Sequence, residues 1–206
     1  LRVVSGSARA GGILFATPPG ERHEFGILSA ALLAAAAGVD VAWRPFLLGP
    51  IFRAQGWETS PFKIYPAKGR YMIRDVERVA ATRGRVIHMP MVLPANSVKA
   101  ARIALAGVGE GWIAPFTRAL FEAEFEAGRD IADDAVLADV CGSLGLDFAR
   151  LSSRIVQVEI KSALKLQTDR ATALGIFGAP SFVTPDRELF WGDDRLEDAV
   201  AWLRTL

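Results

Sequence analysis

Three short stretches carry residue types and spacings that can do chemistry. The first is Phe177-Gly178-Ala179-Pro180-Ser181-Phe182, in which a proline enters an apolar run from a glycine-containing turn. Proline there removes a ladder donor, and X–Pro bonds in such turns are the ones that become cis. A cis bond before Pro180 would turn the Ala179 N–H and C=O outward, where an extended peptide-like ligand can pair with them by strand addition. The other reading is a plain turn proline. The second stretch is Trp191-Gly192-Asp193-Asp194-Arg195-Leu196, two acids at the start of an amphipathic run. Such acids cap free N–H groups and complement the helix dipole, or one of them faces a cleft and holds a ligand ammonium. The third runs from Ser60 to Tyr71, a rigid basic and aromatic segment preceded by Trp57. Lys63, Lys68, Arg70 and Arg74, aided by Arg53, can form a pocket for an anionic substrate, or they are ordinary surface cations.

Cysteine chemistry within the chain is limited from the outset. Cys141 is the single cysteine, which excludes an internal disulfide and any C-x-x-C redox pair, and His23 and His88 are too few and too far apart for a metal centre. Lys and Arg total 24 against 23 Asp and Glu, a formal charge of +1, so no global field draws the chain to nucleic acid or an anionic membrane. Hydrophobic residues make up 51% of 206, enough for a sizeable core. The apolar run from Ile27 to Val39 is shorter than the ~20 residues a membrane-spanning helix needs. A soluble, cytoplasmic protein is expected. Residues 1–20 contain Arg2 and Arg9 and no acid, a faint likeness to a transit peptide without its amphipathic helix; an irregular start is the plainer expectation.

The elements that must position these stretches follow from pattern. Gly12 to Thr17 reads as a strand ended by Pro18-Pro19-Gly20, Phe25 to Ala37 as a helix stopped by Gly38, and Val39 to Trp43 as a second strand. Strand, helix and strand with short links give a parallel pair. From about Gly49 to Thr168 helices take over. One covers Arg70 to Arg83 with Met72, Ile73, Val76, Val79 and Ala80 inward, one follows an Asn96 cap, and one spans Ile113 to Ala127 with Glu122, Glu124 and Glu126 as its solvated face. Helices over Asp133 to Val140 and from Asp147 to Leu174, the latter with one break, complete the block. Met72, Met89 and Met91 are read as core or near-core fillers. After Gly175, Ser181-Phe182-Val183 and Glu188 to Trp191 form a hairpin, and Asp193 or Asp194 starts a last helix with Leu196, Ala199, Val200 and Leu203 inward. The expected fold class is α/β, a thioredoxin-like fold with a large all-helical insertion: residues 1–48 with 170–206 form the sheet domain and 49–169 the insertion.

Five ordered motifs carry a family resemblance from about Val39 to Leu206. They are Trp43-Arg44-Pro45-Phe46-Leu47-Leu48-Gly49; Thr59-Ser60-Pro61-Phe62 with Tyr65-Pro66-Ala67-Lys68-Gly69-Arg70-Tyr71; Asn96-Ser97 with Ala100-Ala101-Arg102; Gly178 to Phe182; and Trp191 to Leu196. Together they resemble the 2-hydroxychromene-2-carboxylate isomerases, relatives of kappa-class glutathione transferases and the DsbA-like thioredoxin group. The resemblance implies a glutathione-dependent isomerase of aromatic catabolism, commonly a homodimer, with an aromatic carboxylate substrate. In the family's account the glutathione thiolate adds to the conjugated system, a double bond becomes rotatable, and the thiolate is expelled; the protein has to lower a thiol pKa from about 8.5. The resemblance places Ala179 beside Pro180 on the cysteinyl unit, Asp194 on the γ-glutamyl ammonium with Asp193, Arg195 and Leu196 around it, and Arg53, Lys63 and Lys68 toward the substrate carboxylate or the glycine end. The chain departs from the family pattern at Lys63 and Asp193, where members often show Asn. It departs further at the start of the first helix, where a Ser-Pro-Tyr serine contacts the glutathione sulfur. Pro18-Pro19-Gly20-Glu21-Arg22-His23 stands there instead, Ser29 lies too deep in the helix to replace that serine, and the catalytic residue is unassigned. Two other readings are therefore carried: a catalytically impaired glutathione-binding protein of the same fold, and a kappa-like glutathione transferase.

Overall fold

The computed structural model describes residues 11–16, 40–57, 64–92 and 94–206. The expected first helix, Phe25 to Ala37, the Pro18 to His23 segment, Ser29 and Lys63 lie outside the described residues.

Strand β1 (Gly11–Ala16) lies at the centre of the sheet, paired in parallel with β2 (Asp40–Pro45) from Gly11 opposite Asp40 to Ala16 opposite Pro45. On its other side β1 pairs antiparallel with β3 (Ser181–Val183), which pairs antiparallel with β4 (Leu189–Trp191), so the order is β2-β1-β3-β4. The parallel pair and the hairpin thus form as their patterns require. Among the described residues between β2 and β3 run seven α-helices: α1 (Leu48–Ala54), α2 (Pro66–Thr82), α3 (Val98–Ala106), α4 (Ile113–Phe121), α5 (Asp134–Ser143), α6 (Phe148–Ile155) and α7 (Val158–Ala173). After β4 a single 3₁₀ turn, Asp193–Arg195, leads into α8 (Leu196–Leu203). This is the thioredoxin-like α/β arrangement with an all-helical insertion. No helix among the described residues is long and apolar enough to cross a membrane.

Local chemistry accounts for the helix bounds. Pro66 opens α2, where its missing N–H is harmless, and Met72, Val76 and Ala80 bury one face at the helical period. Asn96 Oδ1 accepts from Val98 N–H at 3.3 Å, capping α3 from one residue outside its N-cap Ser97. Asp133 and Asp147 cap α5 and α6 by accepting from Ala135 and Arg150.

The largest core sits inside the insertion, around Ile103, Phe116, Leu120, Ile131 and Leu137. A second lies against the sheet, joining Phe46, Ile51 and Phe52 to Ala171, Ile176, Ala179 and Val183, and a third joins Phe182 to Leu196 and Ala199 beneath α8. Trp43 of β2 packs against the first and the third, so one indole ties insertion to sheet. The Thr168 hydroxyl of α7 accepts from Leu47 N–H at 3.2 Å just after β2.

Two expectations are corrected. The helix over Ile113 to Ala127 is α-helical only to Phe121. Residues Glu122–Glu126 form a π-turn, closed by Ala127 N–H donating to Glu122 C=O at 3.0 Å. Its acids are not all solvated: Glu124 is completely buried, because it lies four residues after Leu120 and three after Phe121, on the stripe that faces the core. Met91 is fully exposed rather than a core filler, since it follows Pro90 in an irregular segment with no element packed over it.

Candidate functional site

The Ala179–Pro180 bond is cis. The loop that holds it begins where α7 ends, and Ser181 Oγ donates to Gly178 C=O at 2.8 Å, closing it from within. Above the loop the Phe177 and Trp191 rings meet edge to face, 4.9 Å between centroids. The Trp191 indole roofs Gly178 so closely that a Cβ on that glycine would stand 2.3 Å from the indole nitrogen. Only glycine fits this approach. Among the described residues no hydrogen bond takes up the Ala179 N–H or C=O, and these are the unpaired groups that strand addition requires. The expectation that they turn outward needs correction, however. Ala179 has no exposed surface, because it belongs to the core cluster with Phe46, Ile176 and Val183.

The acidic turn is bonded directly to this loop. Gly192 N–H donates to Pro180 C=O at 3.1 Å, which puts Asp193 and Asp194 beside the cis-proline. Gly192 has φ 115° and ψ 153°, a conformation open essentially to glycine alone, and it bends the chain out of β4 into the 3₁₀ turn. The two acids then diverge. Asp193 accepts from Arg83 at 2.8 Å, an ion pair reaching from the end of α2 in the insertion to the sheet-side turn, and its side chain is only 17% exposed. Asp194 is 66% exposed, 3.6 Å from Arg195, whose guanidinium reaches Asp198 more closely at 3.1 Å. Arg195 therefore bridges two acids on the surface. Leu196 is buried against Phe182 and Ala199, so its side chain serves the core and only its main chain is left for any ligand role.

Of the described cations expected to complete the pocket, Lys68 lies away from the acidic turn. Lys68 stands in the first turn of α2 and Arg83 just past its last; 15 residues at a rise of ~1.5 Å set them ~22 Å apart along the axis. Lys68 can meet a ligand anchored at Asp194 only at that ligand's far end. Arg53 is exposed in the last turn of α1, and Lys68 and Arg70 are exposed as well. Arg74 is taken by Glu77 at 2.7 Å on its own helix.

Thiol chemistry from the chain itself is excluded by Cys141. It is buried in the insertion core, where loss of solvent pushes the thiol up to about 11, so it holds its proton at neutral pH. Sequence reasoning missed three charged residues that the structure makes prominent. Arg83 bonds Asp193; Arg85 bonds Glu126 and reaches Glu122 at 3.5 Å; and Glu124 is buried with neither carboxylate oxygen hydrogen-bonded among the described residues. Burial first, and then the neighbouring Asp130 charge, raise the Glu124 carboxyl from 4.5 to about 8. The helical stripe through Leu120 was the available signal for Glu124. Nothing local marked Arg83, whose partner lies 110 residues away.

Comparison with known proteins agrees with this frame. A search of curated proteins finds no match. Among solved structures, a 2-hydroxychromene-2-carboxylate isomerase superposes with a TM-score of 0.84 at 19% identity, over 95% of each chain. The cytosolic disulfide reductase DsbM from Pseudomonas aeruginosa, solved with GSH, gives 0.64 at 18% identity over 95% of this chain and 98% of that one. The oxidoreductase DsbA from Xylella fastidiosa gives 0.56 at 15%, over 96% and 88%. At these identities the likeness speaks for the fold. The family model of the DSBA-like thioredoxin domain matches residues 27–203, most of the chain, and with the cis-proline loop and the inserted helices in place the chain belongs to the DsbA-like thioredoxin domain family.

Proposed function

We propose that the chain is a glutathione-dependent isomerase that acts on 2-hydroxychromene-2-carboxylate or a similar intermediate of aromatic breakdown, in a cleft between the sheet domain (1–48 with 170–206) and the insertion (49–169). The observation that carries this reading is the Gly192 N–H bond to Pro180 C=O, which sets an exposed carboxylate next to unpaired main-chain groups at a cis-proline. That pairing suits a small peptide with a charged amino end. The thiol has to come from the ligand, since the one cysteine of the chain is buried and protonated.

The residues present fit glutathione in part. Asp194, exposed and only loosely paired with Arg195 at 3.6 Å, can turn to its γ-glutamyl ammonium. Ala179 can pair with the cysteinyl unit once the protein atoms covering it are displaced. Arg53, Lys63 and Lys68 are left for the carboxylate of the substrate or the glycine end, and Lys68 is placed for the far end of an extended ligand. The chemistry bound glutathione would supply is reversible thiol addition to a conjugated double bond, which frees that bond to rotate. The localisation in keeping with this role is the cytoplasm, and the assembly a homodimer.

A second reading, a glutathione-binding protein without turnover, is favoured by one observation: the sequence from Pro18 to His23 holds no Ser-Pro-Tyr, where the family resemblance expects one. Calorimetric titration with glutathione together with an isomerisation assay separates the two. Binding with turnover well above the uncatalysed rate supports the isomerase. Binding with none leaves the second reading, and no binding removes both.

A further inference from the structure

We propose that Arg83 is a positioning residue for the acidic turn. By holding Asp193 it leaves Asp194 as the one carboxylate of the pair presented to a cationic ligand end. The inference rests on the reading that this turn receives the ligand's ammonium, and it adds to that reading a residue from the opposite side of the cleft.

The turn cannot hold its shape unaided. It is a single 3₁₀ turn of three residues, entered through a glycine and without a side-chain cap. Two adjacent carboxylates at its start repel each other and would compete for one ammonium. Two contacts resolve the competition. Gly192 N–H ties the entry of the turn to Pro180, and Arg83 draws the Asp193 carboxylate toward α2 at 2.8 Å. Arg83 is itself well placed for the task. It is the C-cap residue of a 17-residue helix, where a cation complements the negative end of the dipole, and its N–H donates to Ala80 C=O at 2.9 Å, which fixes the backbone that carries the side chain. The pair is also better shielded than an ordinary surface pair, with the two side chains 38% and 17% exposed, against 66% for Asp194. Position 193 carries a carboxylate. A carboxylate there calls for a cation nearby, and Arg83 supplies it.

The test uses the full chain with Arg83→Ala, Arg83→Lys, Asp193→Ala and the Arg83→Ala/Asp193→Ala double variant. Three quantities are read: glutathione affinity by calorimetry, amide hydrogen exchange across residues 192–198 without ligand, and the urea unfolding midpoint. Arg83→Ala is expected to bind glutathione at least fivefold more weakly and to exchange faster across 192–198, with the global midpoint close to wild type. Arg83→Lys should stay within twofold of wild type. The double variant should bind no worse than the weaker single, because both remove one contact. Unchanged exchange in Arg83→Ala overturns the proposal, as does faster exchange with unchanged affinity. Losses that add in the double variant also overturn it, since Asp193 would then act on the ligand itself. Should wild type fail to bind glutathione, the glutathione reading falls on its own; the exchange measurement then decides the positioning of the turn, faster exchange in Arg83→Ala upholding it and unchanged exchange ending it.

Discussion

Replacing Glu124 with Gln should change the pH dependence of stability more than any other single neutralisation among the described residues. Glu124 is completely buried in the π-turn, neither carboxylate oxygen has a hydrogen-bond partner among the described residues, and burial pushes its carboxyl up to about 8 from 4.5. An acid that is harder to ionise in the folded state destabilises the fold as soon as the unfolded chain can release its proton. Below pH 4.5 both states hold the proton and the group contributes no pH dependence. Between 4.5 and about 8 the folded state binds more protons than the unfolded one, so unfolding free energy falls as pH rises; above 8 the loss is complete. At 1.36 kcal/mol per pH unit the full loss is about 5 kcal/mol, and about 3 kcal/mol of it is already present at pH 7. Glu124→Gln keeps the shape and removes the proton equilibrium. Urea unfolding of both proteins at pH 4.5, 7 and 8.5 isolates this group, because every other titration cancels in the difference. The Gln variant should match wild type within about 1 kcal/mol at pH 4.5 and exceed it by several kcal/mol at pH 8.5. Two curves that run parallel across the range would refute the reasoning.

Asp194→Ala should weaken glutathione binding by about 1.5–3 kcal/mol, the range for a hydrogen bond to a charged group, with the unfolding midpoint unmoved because the side chain is exposed; calorimetry reads the first and urea the second. Gly192→Ala forces a side chain into a backbone region open to glycine and should destabilise the protein by about 1–3 kcal/mol in urea unfolding while loosening the acidic turn. Gly178→Ala places a methyl 2.3 Å from the Trp191 indole nitrogen, so the indole has to swing off the loop; a changed tryptophan emission spectrum and a stability loss of about 1–3 kcal/mol are the expected results.

Much of the fold was legible because its signals are local. Parallel β1 and β2, the β3–β4 hairpin, the Met72, Val76 and Ala80 face of α2 and the caps at Asp133 and Asp147 all follow from periodicity and turn chemistry within a few residues. The nearness of the acids to Pro180 was legible as well, from the hairpin that returns Trp191 to Ser181, whereas the glycine-proline turn left the isomer of the Ala179–Pro180 bond open, and the structure has it cis. Residue type misled where it conflicted with period. Glu124 reads as solvent-facing by charge and core-facing by position, and position won because the wide π-turn continues the stripe from Leu120. The Arg83–Asp193 pair was not legible at all, since it joins residues that only tertiary folding brings together. Ala179 shows a third kind of miss. Its sequence neighbours define the turn, but its burial is set by Phe46 and Ile176, which approach from other parts of the chain.

The bond from Gly192 N–H to Pro180 C=O involves peptide groups only, and that has a consequence for how such a protein can diverge. A framework joined through its backbone survives exchange of nearly every side chain around it. New recognition chemistry can therefore be installed at 193, 194 or 179 in single steps, each leaving the scaffold intact, so relatives with little sequence in common can keep one shared architecture while they change what they take hold of.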